Sequence, residues 1–171
     1  MLQLASDHID SWYASGLTFK WQGNDIFYRD FGDGAPMLMV HGFPTAGCDW
    51  AGIAAKLDRQ FRLIVPDLLD YGWSRNPSGT TWHIHDQADM LEALLEELGV
   101  TACHLVVHDV GDTVGQELIA RHDAGALTFA AMEREGKVIE QCHKWLTAAS
   151  KAGSVHEDEA FRCFADAFAQ I

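Results

Sequence analysis

Cys103-His104-Leu105-Val106-Val107-His108-Asp109-Val110-Gly111-Asp112 is the stretch from which the rest of the chain can be read. Its apolar run, Cys103–Val107, predicts a strand buried on both faces, and helical spacing resumes over Thr113–His122. Between them there is room only for a tight turn, with Gly111 two residues after Asp109. A strand turning so sharply into a helix lifts one side chain above the sheet edge, and that residue is Asp109. The helix N-terminus behind it favours a carboxylate anion and lowers its pKa. An ionised carboxylate so placed can attack an electrophilic carbon and form an ester. Asp before a helix is also a common N-cap, and Asp112 is a second candidate for that role. These residues alone support nucleophile and cap equally.

Working outward, apolar runs alternate with helical spacing. Met37–Val40 and Phe61–Val65, the latter stopped by Pro66, are apolar enough to be buried on both faces, as in a parallel sheet covered by helices. Trp50, Ile53, Ala54 and Leu57 predict a helix with Asp49 as its N-cap. Ala88, Leu91, Leu94, Leu95 and Leu98 line one side of a helix over 83–98 that Gly99 ends. His83 and His85 then read as its polar start rather than as half of a metal site. Upstream, Leu17–Trp21 and Ile26–Arg29 flank Gly23-Asn24-Asp25 as a β-hairpin, and Gly32–Pro36 is a second turn. The predicted class is α/β: a β-hairpin plus three parallel strands with helices on both faces.

After about Ala126 the pattern changes. Leu127–Ala131 has the composition of one short strand. Val138, Ile139, Cys142, Trp145 and Leu146, then Ala160, Phe161, Phe164, Ala165 and Phe168, recur at helical spacing. They predict two helices, Glu133–Ala149 and Glu157–Phe168. Charge shifts too: Thr128–Ile171 holds 5 basic and 7 acidic residues, against 7 and 18 before it. The expected organisation is an α/β core over 1–126 and a two-helix tail over 127–171.

Composition bounds what such a chain does. Its 171 residues, 48% hydrophobic, suffice for one domain with a core that needs no disulfide or structural metal. Twelve Lys+Arg against 25 Asp+Glu leave a net charge of −13, which repels nucleic acid and anionic lipid, so neither is an expected partner. No run of 18 apolar residues is present to span a membrane. The first residues lack the basic start and apolar stretch of a secretory signal. Cys48, Cys103, Cys142 and Cys163 form no CxxC pair and read as reduced thiols of a cytoplasmic protein.

Two further loops fall at the same sheet edge as Asp109. His41-Gly42-Phe43-Pro44-Thr45 follows the strand Met37–Val40, where a backbone N–H can pair with that of Val110 to form an oxyanion hole. Pro66-Asp67-Leu68-Leu69-Asp70-Tyr71-Gly72-Trp73-Ser74 follows the next strand. Three loops converging at strand C-termini mark the place where α/β folds bind ligands. Trp12, Trp21, Trp73 and Trp82 either line a pocket there or pack against the core.

HGFPT (41–45), Asp49-Trp50, VPDLLDYGWS (65–74) and VVHDVGDTVGQELIAR (106–121), in this order, resemble the α/β-hydrolase superfamily. The similarity is to its Asp-nucleophile branch of epoxide hydrolases and haloalkane dehalogenases. The form HDxGDxxxQEL is similar to the mesoderm-specific-transcript type of hydrolase. The resemblance covers about Leu17 to Arg121. It implies that Asp109 is the nucleophile, that Phe43 and Val110 supply the oxyanion N–H groups, and that His41 braces its loop. It also implies a pocket for a small-molecule substrate bordered by His41, Gly42, Pro44, His108 and Trp73, with no cofactor and no metal.

The departures from that family shape the expectation as much. The family's later Asp or Glu and its His base follow further strands, whereas 49 residues follow His122 and the remaining fold needs roughly three βα units of ~30 residues each. The chain is therefore expected to be truncated relative to the family and impaired in turnover. His143 and His156 are the tail's candidate bases, both at helix-surface positions. Val110 stands where dehalogenases place a halide-binding Trp. The three tyrosines, Tyr13, Tyr28 and Tyr71, lie outside the tail. The alternative is a non-catalytic module that binds or dimerises through the edge strand Cys103–Val107 or through the tail helices.

Overall fold

The computed structural model describes residues 9–77 and 79–123. The expectations for 127–171, with the short strand, the two tail helices, His143, His156 and the division at 126, lie outside the described residues. A helical turn over 9–14 leads into β1 (Leu17–Trp21), β2 (Asn24–Phe31) and β3 (Ala35–Val40). A 3-10 turn, Gly47–Trp50, opens α1 (Ala51–Leu57), followed by β4 (Phe61–Pro66), α2 (Ile84–Glu97), β5 (His104–Val107) and α3 (Val110–Asp123).

The five strands form one mixed sheet in the order β1-β2-β4-β3-β5. The hairpin β1/β2 joins β4 antiparallel, while β4, β3 and β5 run parallel. This is the predicted α/β arrangement, and the burial pattern explains it. Met37, Leu38, Met39 and Val40 are all buried, as are Leu63, Ile64 and Val65, so the central strands are covered on both faces. Ala88, Met90, Leu91, Leu94 and Leu95 form the buried stripe of α2. The crossovers β3-α1-β4 and β4-α2-β5 run across the sheet in opposite directions. Right-handed connection then puts α1 and α2 on opposite faces of the sheet. Among the described residues, no helix is long and apolar enough to cross a membrane.

Several boundaries differ from the sequence reading. The hairpin turn is Gln22-Gly23, both at positive φ (48° and 82°), and Trp21 pairs with Asn24, so Asn24 and Asp25 already belong to β2. A two-residue turn of this kind matches strand twist. Asn24 secures it from within the strand, its buried amide donating to the carbonyls of Trp21 (3.1 Å) and Gln22 (3.3 Å). Asp49 is not an N-cap: it lies inside the 3-10 turn and accepts the Thr45 hydroxyl. Pro66 ends β4 within the strand rather than stopping it at Val65. The helix after β5 starts at Val110, three residues before Thr113, and Asp112 sits in its first turn.

Candidate active site

The order of the sheet creates the site. The chain moves from β3 to β4 on one side and returns past β3 to β5 on the other. Val40 and Val107 are register partners at the ends of β3 and β5, so the loops that follow leave the sheet side by side. A crevice at such a reversal of strand order is where open α/β sheets take ligands.

Asp109 stands at the turn between β5 and α3 with φ +55°, in the left-handed region that a non-glycine residue enters at a cost of about 1–2 kcal/mol. Its side chain is exposed, and Oδ1 accepts two backbone N–H groups, from Val110 at 2.7 Å and from Phe43 at 2.8 Å. Those two donors hold the carboxyl below the ordinary carboxylate range, Phe43 contributing most, and the neighbouring His108 adds a smaller effect of the same sign.

The geometry of Asp109 differs from that of an N-cap. An N-cap has extended backbone, and its side chain accepts from the second or third helical N–H. Here those groups, Gly111 and Asp112, donate instead to the carbonyls of His108 and Asp109, both at 2.9 Å. Asp109 takes the first helical N–H and one from another loop. The second carboxylate oxygen has no hydrogen bond to a described residue.

The elbow closes only because small residues surround it. A Cβ on Gly42 would lie 2.4 Å from Asp109 Cβ and 2.9 Å from the His108 carbonyl. A Cβ on Gly111 would lie 2.5 Å from the carbonyls of both Val40 and His41. Gly42 is thus buried beneath Asp109, and Phe43, 65% exposed, stands at the rim with its N–H turned inward. Pro44 and Thr45 follow on the exposed part of the loop, the Phe43–Pro44 peptide being cis.

His41 is fully buried. Its Nε2 accepts the Leu68 N–H at 2.9 Å, which leaves the proton on Nδ1, donated to the Gly42 carbonyl at 2.9 Å. Burial pushes its pKa down. The ring is therefore a neutral brace between the loops after β3 and β4, and neither nitrogen is left for a substrate. His108 is half-buried and ties its own N–H to the Val40 carbonyl at 3.2 Å. Trp73 is 57% exposed and stacks on Tyr13 with ring centroids 4.5 Å apart. Of the other tryptophans, Trp21 packs against Trp82 and Trp12 against Phe31. His83 precedes α2, its N–H donating to Asp86 at 2.7 Å, and His85 pairs with Glu117 at 2.9 Å. Among the described residues no cluster of His, Cys, Asp or Glu suits a metal ion.

The sequence reading passed over two residues that hold this edge together. Asp67 is fully buried and binds two loops at once, and Gln87 clamps Leu69 through both amide atoms, at 2.9 and 3.1 Å. The signal for Asp67 is its setting: one carboxylate between Leu63–Pro66 and Leu68-Leu69 is buried by its neighbours and must find donors.

The model of the alpha/beta hydrolase fold family matches residues 35–170. The chain belongs to this family. Over 150 residues it is 36% identical to the mesoderm-specific transcript homolog protein of Bos taurus, covering 81% of this chain and 45% of that protein. A solved haloalkane dehalogenase loop variant from Bradyrhizobium elkanii superposes with a TM-score of 0.60 at 34% identity, covering 64% of this chain and 36% of that one. An epoxide hydrolase mutant from Vigna radiata does so with a TM-score of 0.59 at 30% identity, covering 63% and 35%. The α/β hydrolase relatives thus include hydrolytic enzymes of the dehalogenase and epoxide hydrolase kinds. The chain spans less than half the length of these curated relatives.

Proposed function

We propose that this α/β hydrolase chain uses Asp109 as a nucleophile toward a small electrophile such as an epoxide, an alkyl halide or an activated ester. The observation that carries the reading is the asymmetry of the carboxylate: Oδ1 is held by the Phe43 and Val110 N–H groups while Oδ2 stands open. An Oδ2 lone pair attacks the carbon, a C–O bond forms, and the C–O or C–halogen bond of the substrate breaks with its electron pair on the leaving atom. A ring-opened alkoxide then takes a proton from water.

The same two donors serve the second step. Water attacks Cγ of the ester, and the negative charge of the tetrahedral intermediate develops on Oδ1, where both N–H groups already point. That step needs a base for the water proton. Among the described residues no histidine ring hydrogen-bonds the Asp109 carboxylate, and His41 is held neutral with both nitrogens engaged. On the described residues we read the centre as an alkylating one whose ester accumulates, with turnover impaired.

Intact mass after incubation with styrene oxide or hexyl bromide tests it, with Asp109→Asn in parallel. One stoichiometric adduct mapped to Asp109, lost in the variant, is the expected result. Released diol or alcohol without an adduct would show that a base is present and end the reading of impairment. A folded protein giving neither would remove the nucleophile. The second reading, a binding or dimerisation module, draws on β5 lying at the edge of the described sheet. It predicts a dimer in sedimentation and no adduct.

A further inference from the structure

We propose that Asp67 is a positioning residue for the Asp109 centre: its two carboxylate oxygens lock the loops after β3 and β4 together and so aim the Phe43 N–H. The proposal rests on Asp109 acting as the nucleophile.

Asp67 is buried completely, yet among the described residues it makes no ion pair with a lysine or arginine. Its charge is met by N–H and O–H dipoles instead. Oδ1 accepts the Gly47 N–H at 2.7 Å, from the far end of the loop that carries Phe43. Oδ2 accepts the Trp73 N–H at 2.8 Å, and Tyr13 contributes its hydroxyl. The main chain is tied as well: the Asp67 N–H donates to the Phe27 carbonyl at 2.9 Å, and its carbonyl accepts the Ser74 hydroxyl at 2.7 Å.

The seat is closed by glycine. A Cβ on Gly72 would lie 2.0 Å from Oδ2, and one on Gly47 would lie 3.0 Å from Oδ1. The carboxylate thus sits in close contact with both loops.

Loop 41–47 is pinned to the loop after β4 at both ends. His41 holds its start through the Leu68 N–H, one residue along from Asp67, and Asp67 itself holds Gly47. Between those pins Phe43, Pro44 and Thr45 are exposed, and the Phe43 N–H reaches Asp109. Releasing Gly47 leaves this segment fixed at one end. A displacement of about 1 Å in a group aimed at the reacting atoms costs on the order of a hundred-fold in rate.

Asp67→Asn tests this, because an amide keeps the shape but turns a donor toward one of two N–H groups that need an acceptor. The measurements are the rate of Asp109 alkylation by styrene oxide at saturation, the half-saturating concentration, and backbone amide exchange at Phe43, Met39 and Ile64. The variant is expected to lose about ten- to a hundred-fold in the saturating rate, with half-saturation within about two-fold of the parent. Phe43 should exchange faster while Met39 and Ile64 stay protected. An unchanged saturating rate, or a loss of protection shared by Met39 and Ile64, would overturn the proposal and leave Asp67 a stability residue. If styrene oxide labels not even the parent, the nucleophile reading has failed. The Phe43 exchange in Asp67→Asn then still decides whether Asp67 fixes the loop. Should Asp67→Asn not fold, Tyr13→Phe removes one donor to the same carboxylate. It is expected to move the saturating rate and Phe43 exchange in the same directions by a few-fold, and no change in either overturns the proposal.

Discussion

The Phe43 N–H and the Asp109 carboxylate meet at 2.8 Å across 66 residues of chain. Neither residue has a local reason to be there. Phe43 leaves β3 and Asp109 leaves β5, and the pairing of Val40 with Val107 brings the two loops to one point. The contact is a product of sheet register, so changes that disturb the register or crowd the loops should act on the chemistry before they act on the core.

Gly42→Ala is the sharpest such change. Its Cβ would lie 2.4 Å from Asp109 Cβ, and neither side can yield without moving the elbow. We expect a loss of about 1–3 kcal/mol in urea unfolding, the usual cost of overpacking, and at least a ten-fold slower alkylation of Asp109. Gly99→Ala is the control. Unlike Gly42 it sits at positive φ, +65°, but a Cβ there meets nothing within 4 Å. It should cost about 1 kcal/mol through backbone strain alone and leave the alkylation rate unchanged. Equal rates for Gly42→Ala and the parent would remove Gly42 from the architecture of the site.

The pH profile of alkylation should follow the Asp109 carboxylate. The Phe43 and Val110 N–H groups stabilise the anion and hold its pKa below the ordinary value of about 3.9. The reactive form is then fully populated at neutral and mildly acidic pH. The rate should be flat from about pH 8 to 5 and decline only as the group protonates, below the ordinary carboxylate range. A rate that falls already between pH 7 and 6 would point to another group as the nucleophile or its partner.

Much of this arrangement is legible in the sequence because its periods are unambiguous. Met37–Val40 and Phe61–Val65 are apolar without interruption, and strands buried on both faces follow from that alone. The tight passage from Val107 through Gly111 by itself puts Asp109 at a strand–helix turn. What the pattern cannot settle is polar partnership at a distance. Asp49 looks like an N-cap because it precedes a helix, but a 3-10 turn begins two residues earlier and claims it. Asn24 and Asp25 look like turn residues, yet Gln22-Gly23 closes the hairpin more tightly. Asp67 reads as a loop carboxylate until its donors, Gly47 and Trp73, are placed by other strands. The second donor to the Asp109 carboxylate is likewise an N–H from another loop.

Gln87 should prove a stability residue rather than a reactive one. It is buried on α2, and its amide closes a two-bond clamp on Leu69, like a rung of a β-ladder made by a side chain. Gln87→Leu keeps the helix and the approximate volume but leaves a buried N–H and a buried C=O without partners. A loss of about 2–3 kcal/mol in urea unfolding is expected, the penalty for unsatisfied buried groups. A variant as stable as the parent would mean that water takes over both bonds.

Stability should also carry a signature of His41. Burial lowers its pKa in the folded chain, while in the unfolded chain it returns to about 6.5. Above that value the ring is neutral in both states and its contribution is fully present. As pH falls through 6.5 the unfolded chain takes up a proton that the folded chain resists, so stability declines toward the lower folded value. The decline is at most about 1.4 kcal/mol per pH unit for one such group. Asp67 acts in the other sense. Burial raises its pKa, so the folded chain binds that proton first and gains stability as pH falls between its folded and unfolded values. His41→Gln separates the two, because the amide can accept the Leu68 N–H but does not titrate in this range. Unfolding free energies of parent and variant, measured by urea at pH 7.5 and 5.5, should differ more at the higher pH. A gap that stays constant across this range would mean that His41 carries its proton in the folded chain as readily as in the unfolded one. The Leu68 N–H could not then donate to Nε2, and the neutral brace between the two loops would have to be abandoned.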